Sequence, residues 1–533
     1  MLRPTRAAQG ASATRPAQLA AAARPNPRRT RCSLRVPSPP DPVRLAQPPP
    51  CPPTMMHRRV LPPVPLLASA VAALWTLVAV VPAHPRWSAA GALPSNPPPG
   101  ADGAPPVAGW RRPPLLATVA DASYGTPVRR LTTATDDLEP ILRAGAQVES
   151  PDGKLVLVYE DSRSNAFAKG MAVYRREDGR PAPAPTARGG MPHWRPSGPP
   201  TLAYYGGSNL FSPGVSLELF AFDVTSGAQR FLAAAPAGQT RSEGLGGVAQ
   251  TLFGAIPGAS SHHWRTGYPS RDGSRYAYSS LRSDESTSGV VVLDLSSSPP
   301  TVVGSLTSWP PEWGPLTGAR ITPSGGAVLV SFAFAGVYVY DAALSSAGRR
   351  VMATRLFTDD AADVVVAAGS GHDTLVSVVD DPGVEATGWV VAVDLVTLRQ
   401  SPLFQLPTDG GGGKKPRVAV SGQAYDFPGW VVLSGEPCAA GADGAWICGK
   451  VVAMEVASRR VVPLGHTHSC VRGGVRSRNS GAPASPNRDL SRVYYASGSE
   501  ACRGTMELYE METAGRLGPR DEPTTGLNVG IAI

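Results

Sequence analysis

Ser150-Pro151-Asp152-Gly153 runs directly into Lys154-Leu155-Val156-Leu157-Val158-Tyr159, so a turn made of a hydroxyl, a proline, an acid and a glycine opens an apolar run. Each turn residue has its reason: Ser and Asp bond to nearby backbone, Pro presets φ, and Gly accepts positive φ. The pattern returns at Ser270-Arg271-Asp272-Gly273 before 275–279, Thr322-Pro323-Ser324-Gly325 before 327–332, and Ser485-Pro486-Asn487-Arg488 before 492–496. Weaker copies are Pro196-Ser197-Gly198 before 201–205, Gly371-His372-Asp373 before 374–379, and Phe427-Pro428-Gly429 before 430–434. A second apolar strand follows each, at 171–174, 218–223, 290–295, 337–341, 390–395, 451–456 and 507–511, usually ending in Asp or Glu.

Working outward from these units, the turns stand near 152, 197, 272, 324, 372, 428 and 487, in steps of 45, 75, 52, 48, 56 and 59 residues. A four-stranded propeller blade takes about 40–50 residues. The long step holds the Gly-rich stretch 233–257. Period-2 apolar alternation with turn chemistry argues for strands throughout. The fold expected is therefore all-β, a seven-bladed β-propeller, with six or eight blades if the weaker units merge or split. A closed ring leaves no open sheet edge, and residues 115–146 are placed to supply the closing strand against the unit at 485–515.

The 57 Gly and 57 Pro among 533 residues agree with a fold poor in helix. Net charge is +9, but residues 1–112 hold 14 Arg, no Lys and only Asp41 and Asp102, or +12, and the rest carries −3. A nucleic-acid partner is thus not expected for the folded part.

Residues 1–54 are Arg/Pro-rich and lack any apolar period, so they read as a disordered leader or a mis-assigned start. Residues 55–83 read as a signal peptide or membrane anchor. Their proline-free centre, 66–81, is 16 residues, short of the ~20 a spanning helix wants, and Val81-Pro82-Ala83 offers a cleavage site before His84. Three readings stand. Translation starts at Met55 or Met56 with a secretory signal; or a transit peptide precedes a twin-arginine-like signal at Arg58-Arg59 into an organelle lumen; or the segment stays as a single-pass anchor. All three place the folded part outside the cytosol, with membrane contact only through an uncleaved N-terminal segment. Residues 84–114, with nine prolines, read as a linker, 115–520 as the propeller and 521–533 as a tail.

Beyond the leader, which holds Cys32 and Cys51, four cysteines remain: Cys438, Cys448, Cys470 and Cys502. An even count in such a compartment reads as disulfides. Three pairings exist, and Cys438–Cys448 with Cys470–Cys502 is the expected one. No C-x-x-C pair and no N-x-S/T sequon occurs.

The turn-plus-strand unit resembles the WD40-like, SPDG-bearing repeat of secreted and periplasmic propellers, over about 145–515. The run from Ser421 to Val431 with 461–468 looks like secreted propellers of unknown function. His466-Thr467-His468 places two imidazoles on one face of an extended strand, where both could reach one ion such as manganese or calcium. Propeller oligogalacturonate lyases use a similar His-x-His element with Gln three residues earlier; here that position is Pro463.

His193-Trp194-Arg195 and His262-His263-Trp264-Arg265 lead into innermost strands. There, imidazole, indole and guanidinium groups suit a sugar acid or carboxylate, or simply pack between blades. Glu160-Asp161 and Asp284-Glu285 are paired acids, read as charged hairpin loops. The run 410–415 has four glycines and two lysines but lacks the phosphate-loop spacing, and no G-x-S-x-G elbow is present. Without a complete catalytic signature, the expected function is a binding or scaffolding propeller that contacts a glycan or a protein on its loop face. The alternative is a metal-assisted uronate lyase, with His466 and His468 holding the ion.

Overall fold

The computed structural model describes residues 97–102, 110, 112–133, 138–142, 144–162, 169–185, 193–196, 198–206, 218–234, 264–281, 287–297, 300–352, 361–379, 388–407, 415–437, 446–469, 483–498 and 506–517. They form seven small antiparallel sheets, a seven-bladed β-propeller. Blade 1 is Leu138–Ile141, Leu155–Ser162, Lys169–Arg175 and Pro181–Ala182; blade 2 is His193–Trp194, Thr201–Gly206, Glu218–Asp223 and Gln229–Ala234. Blade 3 is Trp264–Pro269, Arg275–Leu281, Thr287–Asp294 and Thr301–Leu306; blade 4 is Leu316–Ile321, Ala327–Phe332, Gly336–Asp341 and Arg349–Met352. Blade 5 is Ala362–Val366, Asp373–Val378, Trp389–Asp394 and Gln400–Gln405; blade 6 is Val418–Ser421, Trp430–Gly435, Lys450–Glu455 and Val461–His466. The strands of each blade are named A to D in that order.

Blade 7 is built from both ends of the folded region. Its A, B and C strands are Ala484–Pro486, Arg492–Ser497 and Glu507–Glu512. Its D strand is Pro127–Arg130, antiparallel to C with Val128 opposite Met511, and Thr118–Ala120 adds a fifth strand outside it. Ring closure by the segment at 115–146 is thus as the sequence predicts.

Each expected turn falls between an A and a B strand. The physical unit is a hydroxyl or amide that caps the turn. In blade 1, Ser150 Oγ accepts from Leu155 N–H at 2.9 Å and donates to Asp152 at 2.6 Å, while Gly153 takes φ 72°. Blade 3 repeats this with Ser270, Asp272 and Gly273. In blade 7 the register differs from expectation. Asn487 takes the serine's place, accepting from Arg492 N–H at 3.0 Å, and Leu490 takes the positive φ. The turn is therefore Asn487-Arg488-Asp489-Leu490, two residues later than the sequence comparison put it.

The middle strands are buried on both faces, so Asp373–Val378 and Trp430–Gly435 are enclosed at every residue instead of alternating. The core lies between blades. One cluster joins Val376, Val390 and Phe404 of blade 5 to Val431, Leu433 and Met454 of blade 6, and another joins Val432, Ala453 and Leu464 of blade 6 to Val493, Tyr509 and Val128 of blade 7. Fully burying each such side chain is worth about 1.5–3 kcal/mol. Ion pairs add to the closing seam: Arg176 grips Glu510 with two bonds of 2.6 and 2.7 Å, and Arg492 grips Glu149 at 2.9 and 2.5 Å.

Among the described residues no helix is long and apolar enough to cross a membrane, and 55–83 lies outside them.

Candidate functional site

Because the strands of a blade alternate in direction, A-to-B and C-to-D turns share one end of the propeller, and B-to-C and D-to-A connections share the other. The long connections 207–217, 235–263 and 470–482 all leave from that second end and lie outside the described residues. The turn end, by contrast, carries a polar constellation drawn from several blades.

It begins deep, on the A strands. Arg320 of blade 4 pairs with Asp363 of blade 5, both buried. Asp363 also accepts from Gly422 N–H at 2.7 Å and Gln423 Nε2 at 3.1 Å, both just after strand A of blade 6. Next comes Tyr425, whose phenol is pushed up to about 12 by burial and then by the Asp363 charge. The Arg488 guanidinium of blade 7 lies 5.6 Å from the centre of the Tyr425 ring.

At the mouth, Arg488 grips Asp426 as a fork, Nε to Oδ2 at 3.0 Å and Nη2 to Oδ1 at 3.2 Å. Arg271 of blade 3 reaches the same carboxylate, Nη2 to Oδ1 at 3.2 Å, and Arg488 Nη1 donates to the Arg271 carbonyl at 3.1 Å. Blades 3 and 6 stand on opposite sides of a seven-membered ring, so these bonds span the channel. Beside them opens a cavity of about 380 Å³ lined by Pro196, Arg271, Asp272, Pro323, Ser324 and Arg488. The adjoining space, whose walls include Gln147, His193, Trp194, Gln423 and Tyr425, is only about 10 Å³, no more than one water needs.

The sequence candidates are divided. His193 and Trp194 form strand A of blade 2 and are buried; Trp194 Nε1 donates to the Val148 carbonyl at 3.0 Å, and the His193 ring lies 6.2 Å from that of Tyr276. They wall the channel as blade packing, while Arg195 is exposed in the following turn. Trp264 and Arg265 lie in strand A of blade 3, in register with Ser280 and Ser279. His262, His263, Cys438, Cys470, Cys502 and Asp284-Glu285 lie outside the described residues, and Cys448 is disulfide-bonded. Glu160 and Asp161 belong to a strand, opposite Gly170 and Lys169, and not to a hairpin loop.

His466 and His468 do meet, but away from the channel. His466 ends the outermost strand of blade 6, and His468 lies beyond it with φ 50°, so the two do not share a strand face as expected. Their partner is buried Asp121, just past the outer strand of blade 7. Asp121 Oδ2 stands 3.6 Å from His466 Nδ1 and 3.5 Å from His468 Nε2. The same carboxylate accepts from the backbone of Ser123 and Tyr124, both at 3.0 Å, and of His466 at 3.1 Å. Trp110 stacks on His468 at 3.9 Å and Tyr124 on His466 at 5.2 Å; Tyr124 and Lys450 both bond Asp102. Burial opposes the Asp121 charge, yet both imidazoles and the backbone donors hold the carboxyl well below its usual range, and burial lowers His468.

Three backbone donors already occupy this carboxylate, and aromatic rings cover both imidazoles. Among the described residues no group of three or more His, Cys, Asp or Glu is arranged to hold a metal ion. The cluster clasps the N-terminal segment to blade 6.

The mouth residues Arg271, Asp426 and Arg488 were not among the sequence candidates. A signal for two of them exists: Arg271 and Arg488 occupy the second position of the turn, where blades 1 and 4 carry Pro151 and Pro323.

No family model matches this chain, so the WD40-like likeness stays a resemblance, and no curated protein matches it. Among solved structures it is similar to an oligogalacturonate lyase in complex with manganese, at 14% identity over 75% of this chain and 96% of that one, TM-score 0.48. An oligogalacturonate lyase from Vibrio parahaemolyticus gives 12% over 75% and 96%, TM-score 0.47. The β-propeller domain of the Trilobed protease from Pyrococcus furiosus gives 11% over 74% and 100%, TM-score 0.41. At these identities the likeness is one of fold.

Proposed function

We propose that this chain is a non-catalytic binding propeller that works outside the cytosol and holds a glycan or protein ligand at the turn end of its channel. One observation carries the reading: guanidinium groups from blades 3 and 7 converge at the mouth beside a cavity of about 380 Å³. A planar fork of N–H donors is suited to carboxylates. The leader and the even cysteine count support the compartment. The lyase alternative needs its histidines at the channel, and His466 and His468 face Asp121 on the outer edge.

The test uses the full chain made in an oxidising compartment, immobilised and exposed to neutral, uronate and sulfated glycans and to neutral and acidic peptides. Retention of a carboxylate-bearing class, lost in Arg271→Ala/Arg488→Ala, is the expected result. Equal retention by both proteins would overturn the proposal. The same mixtures, supplied with manganese or calcium and followed by ultraviolet absorbance for unsaturated products, test the lyase alternative.

A further inference from the structure

The mouth is already filled by a carboxylate, and that carboxylate is the protein's own. Asp426 takes three N–H···O bonds from two arginines on different blades, the arrangement that would receive a ligand acid. Both arginines break the repeat, standing where blades 1 and 4 place Pro151 and Pro323. Departures from a local rule without a folding gain mark function.

Resting on the binding reading above, we infer that Asp426 is an internal competitor, displaced from Arg271 and Arg488 by an isolated acidic side chain of a partner peptide.

The exchange is inexpensive. Side-chain exposure is 42% for Asp426, 45% for Arg271 and 21% for Arg488, and ion pairs this open contribute little net stability. Nothing else need move. Arg488 keeps its bond to the Arg271 carbonyl and its place over Tyr425, and the Asp426 N–H stays on the Arg488 carbonyl at 2.8 Å. The side chain of Asp426 can therefore swing away while the arginines hold their positions.

A peptide suits the cavity better than a polyanion. The occupant now in place is an aspartyl side chain on a peptide, and Pro196 and Pro323 give the walls apolar faces. Asp272 sits at the rim, its carboxylate bonded by Ser270 at 2.6 Å and Ser274 at 2.8 Å and lowered below its usual range despite burial. That fixed negative charge admits one acid and repels a chain that carries one on every unit.

The probe is the chain's own segment 424–429 as a fluorescein-labelled peptide, Ala-Tyr-Asp-Phe-Pro-Gly, measured by anisotropy against the full-length protein. Removing an internal competitor raises the fraction of competent sites, and apparent affinity rises in proportion. Asp426→Asn and Asp426→Ala should each tighten binding about two- to sixfold, and adding Arg488→Gln should abolish it. A peptide with Asn in place of its Asp should bind to none of the proteins. An unchanged affinity in both Asp426 variants, with circular dichroism intact, overturns the competitor while leaving the binding reading in place. Capture of polygalacturonate in preference to the peptide overturns the peptide assignment. No retention of any glycan or peptide by any of the proteins removes the binding reading and the inference with it.

Discussion

Replacing Asp363 by alanine tests whether the channel is dry and closed at the level of the A strands. The Asp363 side chain has no exposure and that of Arg320 5%. The substitution removes the counter-charge that Arg320 faces in blade 4, and the acceptor of Gly422 N–H and Gln423 Nε2 in blade 6. Breaking a buried ion pair from one side costs about 3–5 kcal/mol, and a buried donor that loses its acceptor about 1–3 kcal/mol. The single variant should therefore lose at least about 5 kcal/mol. In Arg320→Met/Asp363→Leu no charge is left behind, and a buried pair replaced by apolar groups of similar size is often neutral. The remaining loss is that of the Gly422 and Gln423 donors, about 2–6 kcal/mol for the two. Urea unfolding followed by tryptophan fluorescence compares the three proteins. If the single variant proves no less stable than the double, water reaches this pair and the channel is not dry at this level.

Other outcomes follow from the same structure. Ser150→Ala removes the acceptor of Leu155 N–H and should cost about 1–2 kcal/mol; Ser270→Ala in blade 3 should match it, by denaturant midpoint, because the two turns are chemically equivalent. Val128→Pro removes a backbone donor from the closing strand opposite Met511, and limited proteolysis should then release the segment before blade 1. His468 is lowered in the fold, so its contribution is fully present above its unfolded pKa of about 6.5 and is lost as pH falls below that towards and through its lower folded value. Melting temperature from pH 8 to 5 should fall less steeply in His468→Asn than in the unaltered chain. A non-reducing peptide map of the oxidised protein should return the pairs Cys438–Cys448 and Cys470–Cys502.

Blade count, turn positions and the closing strand were legible because each rests on local chemistry. A hydroxyl or acid with a following glycine forms the same turn wherever it occurs, and the apolar run after it can only be a strand. The blade 7 turn was placed two residues early because Pro486 imitates the proline of the other turns, whereas the cap is Asn487 and the positive φ falls on Leu490, a residue no composition rule selects. The alternation expected of the strands became continuous burial, since every blade is covered on both faces. The site was less legible. His193 and Trp194 carry chemically rich side chains but face packed neighbours, and His466 and His468 meet a carboxylate more than 300 residues away that only the closing strand brings near. The mouth arginines lie in turns 217 residues apart, and their convergence on Asp426 depends on the ring closing with seven blades.

The central claim is that ligand is held at the turn end of the channel and not at the end bearing the long connections. Hydrogen–deuterium exchange on the full chain, with and without whichever panel member is retained, measures this directly. The account predicts slowed exchange in the turns at 270–273, 423–429 and 487–491 and unchanged exchange at 207–217 and 235–263. Protection confined to the long connections, with those three turns unaffected, would contradict it.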